Sequence, residues 1–157
     1  MPGPKFVCIH LLPPHPLFAF GPDDLPTDPG DFMNSDGTYP FELYANGYRN
    51  QLNYISGQLE KAVMTLLANS PNPPVIIIQG DHAPWFQSGA KQFQILNAYY
   101  LPGHTGILYP SISPVNSFRV ILDAYLGAHY PLLEDASYDS SIPDVFDFTR
   151  VANTCPK

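Results

Sequence analysis

The sequence predicts an α/β fold, a layered sandwich in which helices flank a largely parallel sheet. Two observations support this prediction. Apolar runs of strand length, typical of strands buried on both faces, occur near the start and in the middle of the chain. Segments with helical periodicity follow the first and the last of these runs. Strands that alternate with helices in this way are typical of a parallel sheet.

Three segments are predicted to be strands. Residues 5–12 form a mostly apolar run that ends at Pro13. Residues 75–79 are rich in β-branched side chains and are followed by Gly80. Residues 95–101 form the third predicted strand.

Two helices are predicted from apolar side chains that recur at steps of about three and four residues. The first helix lies between the first two strands, and its apolar stripe consists of Tyr48, Leu52, Ile55, Leu59, Val63 and Leu66. The second is predicted to begin with Ser113 as its cap and Pro114 at its first position. The residues that it is predicted to bury are Phe118, Ile121, Leu122 and Tyr125.

The composition predicts a globular chain and limits its partners. The length of 157 residues indicates one domain over residues 1–157. The composition, 45% hydrophobic and 13% charged, is that of a globular chain. The net charge is −7 and no stripe of Lys or Arg is visible, so nucleic acid is not expected as a partner. Because this charge repels anionic substrates, an anion site would need a local positive charge, most simply a metal ion.

The chain also carries signals about its compartment. No apolar run approaches the roughly 20 residues that cross a bilayer, so no membrane span is expected. Met1 leads within a few residues into the first predicted strand, so no signal peptide is expected and the predicted location is the cytoplasm. Cys8 is predicted to be a buried thiol, and nothing in the sequence supports a disulfide between it and Cys155.

Acidic and imidazole side chains follow the ends of two predicted strands. Asp81 and His82 come after the second strand, and His15 lies between prolines after the first. Because ligands bind beyond the carboxyl ends of parallel strands, these three residues are predicted to meet in a zinc or manganese site. His10, within the first strand, is a further candidate ligand. The alternative interpretation is structural: Asp81 caps a turn, His82 and His15 are surface residues, and His10 is a core histidine.

Together these segments resemble the alkaline phosphatase superfamily, specifically its sulfatase-like and phosphoethanolamine- or lipoteichoic-acid-synthase-like hydrolases. The resemblance is carried by residues 6–18, which contain Pro-His-Pro, and by residues 75–83, which end in Asp-His-Ala. Members of that family have a strand ending in Pro-His-x-Pro and a later strand ending in Asp-His-Gly. Further similarity lies in residues 48–67, 96–103 and 108–119, so the resemblance covers about residues 3 to 150.

The resemblance implies roles for the candidate residues. Asp81 and His82 would be metal ligands, and His15 would bind the phosphoryl or sulfuryl group or a second metal. His10 would stand near the same site, and Ala83 occupies the position where the family usually has Gly. The match is to the C-terminal part of such a catalytic domain, because the family's nucleophile and an early metal-binding acid would precede Phe6. Full-length members of the family include membrane-anchored proteins.

The predicted function is metal-dependent hydrolysis of phosphate, sulfate or related activated esters by metal-bound water, with a small anionic ester as substrate. Three protein ligands suffice for a catalytic zinc with one open position. The alternative is a non-catalytic or complementing fragment that needs a separate N-terminal half carrying the nucleophile. A third reading is an esterase that uses Ser88, Ser111 or Ser113. Strand edges left open by a missing half favour a homo-oligomer.

Overall fold

The computed structural model describes residues 3–21, 40–84, 86–87, 89–141 and 143–152. The chain divides into two compact units, an amino-terminal unit, Met1–Ser70, and a carboxy-terminal unit, Pro71–Lys157. Ser88 and Cys155, which the sequence analysis singles out, lie outside the described residues.

The amino-terminal unit contains one long helix, α1, which spans Phe41–Asn69. This confirms the helix predicted from the apolar stripe. Its buried residues, Tyr44, Gly47 and Gln51, all lie in the first three turns. The helix ends at Asn69, and the cap residue that follows, Ser70, has an extended backbone (φ −92°, ψ 115°). Pro71 follows Ser70, and a residue that precedes proline is disfavoured in the helical conformation.

Residues 13–21 pack along the buried part of α1. Phe18 is fully buried and its ring meets Tyr44 edge-on, with ring centroids 5.0 Å apart. Phe20 stacks on Tyr54 at 3.8 Å. The core of this unit is therefore an aromatic contact between a proline-rich segment and the first turns of α1.

The predicted strand at residues 5–12 is absent from the structure. This segment has no regular secondary structure, every residue in it is exposed, and Phe6 is 82% exposed. An apolar run becomes a buried strand only where a neighbouring strand satisfies its backbone groups, and among the described residues no strand pairs with it. The prediction of a buried thiol is also wrong, because Cys8 is exposed.

The carboxy-terminal unit begins with two short strands, β1 (Ile76–Gln79) and β2 (Asn97–Tyr100). Both lie inside predicted strand segments. They pair antiparallel, with Ile76 opposite Tyr100 and Gln79 opposite Asn97. The described part of their connection holds a 3₁₀-helix, Gly89–Phe93, and no α-helix. Parallel neighbours usually need a crossover helix, so this connection suits an antiparallel pair.

Helix α2 spans Pro114–Leu126, with Ser113 at the cap position and Pro114 at the first position, as predicted. It ends at Leu126, and the cap residue that follows, Gly127, has a left-handed backbone (φ 61°) that glycine adopts without strain. Of the side chains predicted to be buried, Ile121 is buried and Phe118 is exposed. The other buried residues of α2, Asn116 and Ser117, are polar and were not predicted.

A second hairpin, β3 (Ser137–Ser141) and β4 (Asp144–Val151), follows α2 and was not predicted. The described residues therefore contain two α-helices and two separate two-stranded antiparallel sheets. The predicted layered sandwich with a largely parallel sheet is wrong. Its first strand does not form, and its other two strands pair with each other in the opposite direction. Neither described helix combines the length and apolar character needed to cross a bilayer.

Candidate functional site

The candidate site is the loop that follows β1. The backbone N–H of Gly80 donates to the Leu96 carbonyl at 2.9 Å, which extends the ladder between β1 and β2 by one bond. The N–H of Ala83 donates to the Gln92 carbonyl at 2.9 Å, next to the 3₁₀-helix. Two backbone hydrogen bonds thus fix the chain on either side of Asp81 and His82, whose side chains are exposed.

Asp81 is oriented by its own loop. Its Oδ1 atom accepts a hydrogen bond of 2.9 Å from the backbone N–H of His82. This bond joins adjacent residues and orients the carboxylate within the loop. The second carboxylate oxygen, Oδ2, lies 3.5 Å from Nε2 of His82. One oxygen of Asp81 therefore bonds to the loop backbone and the other lies near the imidazole.

The imidazole of His82 is oriented by a backbone carbonyl. Its Nδ1 atom lies 2.7 Å from the carbonyl oxygen of Ala83. Because a carbonyl oxygen can only accept, Nδ1 carries the proton in this contact, and Nε2 of the neutral ring keeps a lone pair. Histidines that bind metals usually donate their other ring N–H in this way.

The spacing between the two open atoms fits a shared cation. Nε2 of His82 and Oδ2 of Asp81 are both acceptors when the ring is neutral, and they face each other at 3.5 Å. Two ligand atoms of a tetrahedral zinc ion, each at its usual bond length, lie about 3.4 Å apart. Asp81 and His82, called the Asp81–His82 pair below, therefore have the donor chemistry and the spacing of two ligands to one metal ion.

A second Asp–His contact in the same unit has the opposite arrangement. Nδ1 of His129 lies 3.1 Å from Oδ1 of Asp123, and the backbone N–H of His129 donates to the same oxygen at 2.9 Å. In this contact the ring N–H itself can donate to the carboxylate, so the two groups satisfy each other without an ion. His129 and Asp123 are thus a matched control for the Asp81–His82 pair.

The other two predicted ligands, His15 and His10, belong to the amino-terminal unit. Nδ1 of His15 contacts the carbonyl oxygen of Pro16, so its Nε2 atom is also left with a lone pair when the ring is neutral. The carbonyl of His15 accepts a hydrogen bond of 2.9 Å from the side chain of Gln51. His10 lies in the exposed segment before Pro13. Their contribution to a metal site stays a prediction.

The structure brings together two of the four predicted ligands, Asp81 and His82. Across the parts of the chain that the structure describes, no group of three or more His, Cys, Asp or Glu side chains is arranged to hold a metal ion. The pair alone is one ligand short of the three that catalytic zinc sites commonly use.

A polar cluster around Asp135 was missed by the sequence analysis. Its carboxylate accepts hydrogen bonds from the backbone N–H of Ser113 at 2.7 Å, from the Ser113 hydroxyl at 2.5 Å and from the Tyr109 hydroxyl at 2.5 Å. Burial alone would raise the pKa of Asp135, but the hydrogen bonds from Ser113 and Tyr109 outweigh it and lower that pKa. For Tyr109, burial and the bond to Asp135 raise the pKa.

The fully buried Asn116 completes this cluster. Its amide nitrogen donates to the Tyr109 hydroxyl at 2.9 Å and to the Leu133 carbonyl at 2.8 Å, and its amide oxygen accepts from the Leu133 N–H at 2.9 Å. The cluster ties the start of α2 to residues 133–135. No local sequence signal identifies it, because Asp135 lies 22 residues from Ser113 and 26 residues from Tyr109 along the chain.

The seryl esterase reading gains no support from this cluster. The Ser113 hydroxyl donates to a carboxylate rather than to an imidazole, and no contact with a histidine is among its hydrogen bonds. A seryl nucleophile is normally activated by a base such as histidine. Ser113 is therefore a structural residue that anchors α2 to Asp135.

Comparison of the chain with protein-family models, with curated proteins and with solved structures finds no match.

Proposed function

We propose that this chain is a metal-dependent hydrolase of phosphate- or sulfate-type esters, with Asp81 and His82 as metal ligands. The observation that carries the proposal is the 3.5 Å separation of Oδ2 of Asp81 and Nε2 of His82. Two acceptors at that separation, each oriented by a hydrogen bond to the backbone, are suited to share a cation. The resemblance of this loop to the alkaline phosphatase superfamily adds support.

The two side chains of the pair would bind the metal ion and hold it in place, and would do little else. The backbone of the loop holds the Asp81 carboxylate and the His82 ring in place, so neither group loses much conformational freedom on binding. A bound zinc or manganese ion would polarise an ester oxygen and lower the pKa of a bound water toward about 7. Hydrolysis then adds water across the P–O or S–O bond of the ester.

The pair is exposed, which is compatible with substrate entry and leaves ligand positions to be filled. His15 is the sequence-based candidate for a third ligand, and the contact of its Nδ1 atom with a backbone carbonyl matches that of His82. The net charge of −7 means that a metal ion would supply the positive charge that an anionic ester needs.

The proposal is tested by turnover of p-nitrophenyl phosphodiesters and sulfates by the purified chain, first stripped of metal and then supplied with zinc or manganese. We expect activity that depends on the metal and that is lost in Asp81→Ala and His82→Ala. The control variant His129→Ala removes a histidine from the other Asp–His contact and should keep full activity. Equal rates in all three variants would reject the assignment.

A second candidate function is that of a complementing fragment, and the exposed segment at residues 5–12 favours it. Apolar residues there face solvent, with Phe6 82% exposed. In the part of the chain that the structure describes, only Phe18, Tyr44 and Ile121 are buried hydrophobics. Exposed apolar runs of this kind are typical of surfaces that another segment or chain covers.

Activity and metal content separate the two candidates. A complementing fragment should hold no stoichiometric metal by itself and should hydrolyse neither phosphate, sulfate nor carboxylic esters. In hydrogen exchange, the amides of residues 5–12 should exchange at the rate of an unstructured peptide until a partner is added. Turnover by the isolated chain would eliminate this candidate.

A further inference from the structure

The carboxy-terminal unit contains an open cavity beside the end of β2. Its volume is about 300 Å³. Sites for small molecules usually measure about 300–1,000 Å³, so the cavity has room for a small organic molecule. The described residues that line it are Tyr99, Leu101, His104, Gly106, Ile107 and Leu108.

Hydrogen bonds hold two aromatic side chains in place at this cavity. The hydroxyl oxygen of Tyr99 lies 2.5 Å from that of Ser117, which is fully buried. The Tyr125 hydroxyl donates to the Pro102 carbonyl at 2.8 Å. The Tyr125 ring in turn meets the His104 ring edge-on, with ring centroids 4.5 Å apart. The aromatic part of the wall is therefore formed before any ligand arrives.

The half-buried imidazole of His104 is available to bind a ligand. The backbone N–H of His104 donates to the Leu101 carbonyl at 3.2 Å, but neither ring nitrogen has a hydrogen-bond partner among the described residues. A neutral imidazole has one N–H donor and one acceptor nitrogen. A hydroxyl group can bond to either of them, because it both donates and accepts.

The rest of the lining favours an uncharged ligand with a single polar group. Leu101, Ile107 and Leu108 are apolar, and none of the described lining residues has a carboxylate, ammonium or guanidinium group. A cation would find no opposite charge there, and an anion would be repelled by a chain of net charge −7. A second polar group on the ligand would lose water against the apolar side chains without gaining a partner.

We propose that this cavity binds a small, uncharged alcohol or phenol. The hydroxyl of the ligand bonds to the His104 imidazole, and its apolar body contacts Leu101, Ile107 and Leu108. A net hydrogen bond of this kind strengthens binding roughly three- to ten-fold, so burial of the apolar body supplies most of the affinity. The site shares no residue with the Asp81–His82 pair and does not depend on the proposed hydrolase function.

The first test is titration of the purified chain with phenol, followed by NMR of the amides of residues 103–108. We expect saturable shifts with an affinity in the millimolar range, as is usual for a ligand of so few atoms. Toluene, which has the same ring without the hydroxyl, should bind roughly three- to ten-fold more weakly. Benzoate, which is negatively charged, should also bind more weakly than phenol. No saturable shifts with phenol, or tighter binding of toluene or benzoate, would overturn the proposal.

The variant His104→Phe separates the hydrogen bond from the packing of the ring. Phenylalanine keeps a ring beside Tyr125 but has no nitrogen, so phenol should bind roughly three- to ten-fold more weakly while toluene binds as before. The control His129→Asn removes an exposed imidazole from the same unit and should change neither affinity. Phenol binding that is equal in His104→Phe and in the unchanged chain would contradict the assignment.

The ring nitrogens of His104 give a second measurement that needs no variant. In the unchanged chain, phenol should shift the NMR resonance of one of these nitrogens, and toluene should shift neither. If phenol binds while both resonances stay in place, His104 does not bond to the hydroxyl and the proposal is wrong.

Discussion

The Nε2 atom of His82 lies 3.5 Å from the Oδ2 atom of Asp81, while Nδ1 of the same ring faces the Ala83 carbonyl. The neutral ring cannot donate to the carboxylate in this arrangement, because its only N–H is already used. Asp123 and His129 form the contrasting contact, in which Nδ1 faces the carboxylate at 3.1 Å. This difference between two exposed Asp–His contacts is the basis for the metal-site proposal.

Replacing His82 by Ala should weaken zinc binding at least ten-fold. Loss of a group that merely orients a ligand costs about 10–100-fold in metal affinity, so loss of the ligand itself should cost no less. Isothermal titration of the metal-free chain with zinc measures the effect. His129→Ala serves as the control and should bind zinc as the unchanged chain does. His15→Ala, measured in the same series, decides whether that residue contributes a ligand.

Because of Asp135, the carboxy-terminal unit should become less stable as the pH is lowered. Its pKa is lowered in the folded chain, against the effect of burial, by hydrogen bonds from Ser113 and Tyr109. The unfolded chain therefore binds the proton more readily. The stabilising contribution is present above the ordinary pKa of aspartate and is lost as pH falls through the lower, folded value.

The variant Asp135→Asn tests this acid dependence. At pH 7 we expect it to lower the free energy of unfolding by about 1.5–3 kcal/mol, the range for hydrogen bonds to a charged group. The difference in free energy of unfolding between the variant and the unchanged chain should shrink as the pH is lowered below 4, roughly the ordinary carboxyl pKa. Urea unfolding at several pH values measures it. Glu134→Gln affects only an exposed ion pair with Arg150 and should change stability by less than about 1 kcal/mol.

Gln51 should be required for the packing of residues 13–21 on α1. Its side chain is 1% exposed, accepts from the Ala19 N–H at 2.7 Å and donates to the His15 carbonyl at 2.9 Å. Gln51→Ala leaves both backbone groups without this partner and should cost about 2 kcal/mol or more. Proteolysis near His15 should become faster. Asn53→Ala, an exposed change on the same helix, should have little effect, and equal stability of the two variants would contradict the assignment.

Two phenylalanines in the amino-terminal unit should differ sharply in their effect on stability. Phe18 is fully buried, so Phe18→Ala should cost about 3–5 kcal/mol through lost burial and the cavity left behind. Phe6 is 82% exposed, so Phe6→Ala should leave stability nearly unchanged. Thermal or urea unfolding measures both. A large loss in Phe6→Ala would mean that residues 5–12 are buried after all.

Local signals account for the elements that could be predicted. The β-branched run before Gly80 indicates β1, and Ser113 followed by Pro114 indicates the start of α2, because each depends on neighbouring residues only. The direction in which β1 pairs with β2 depends on the connection between them. The spacing of apolar residues did not reveal that this connection holds a 3₁₀-helix. The run at residues 5–12 has strand character, but whether it becomes a strand depends on a partner that no local pattern specifies.

The candidate site was predictable in part for the same reason. Asp81 and His82 are adjacent in sequence, so their proximity follows from the chain itself. The position of the ring proton depends on the Ala83 carbonyl and on the fold of the loop, which the sequence does not show. The Asp135 cluster joins Tyr109, Ser113 and Asn116 through side-chain bonds, and such networks leave no periodic trace.

Anomalous diffraction at the zinc edge, from crystals grown with zinc, tests the central claim most directly. We expect a peak within about 2.0–2.2 Å of both Nε2 of His82 and Oδ2 of Asp81, the usual lengths of zinc bonds to these atoms. Density for the ion beside His129 and Asp123, with none beside His82, would contradict it.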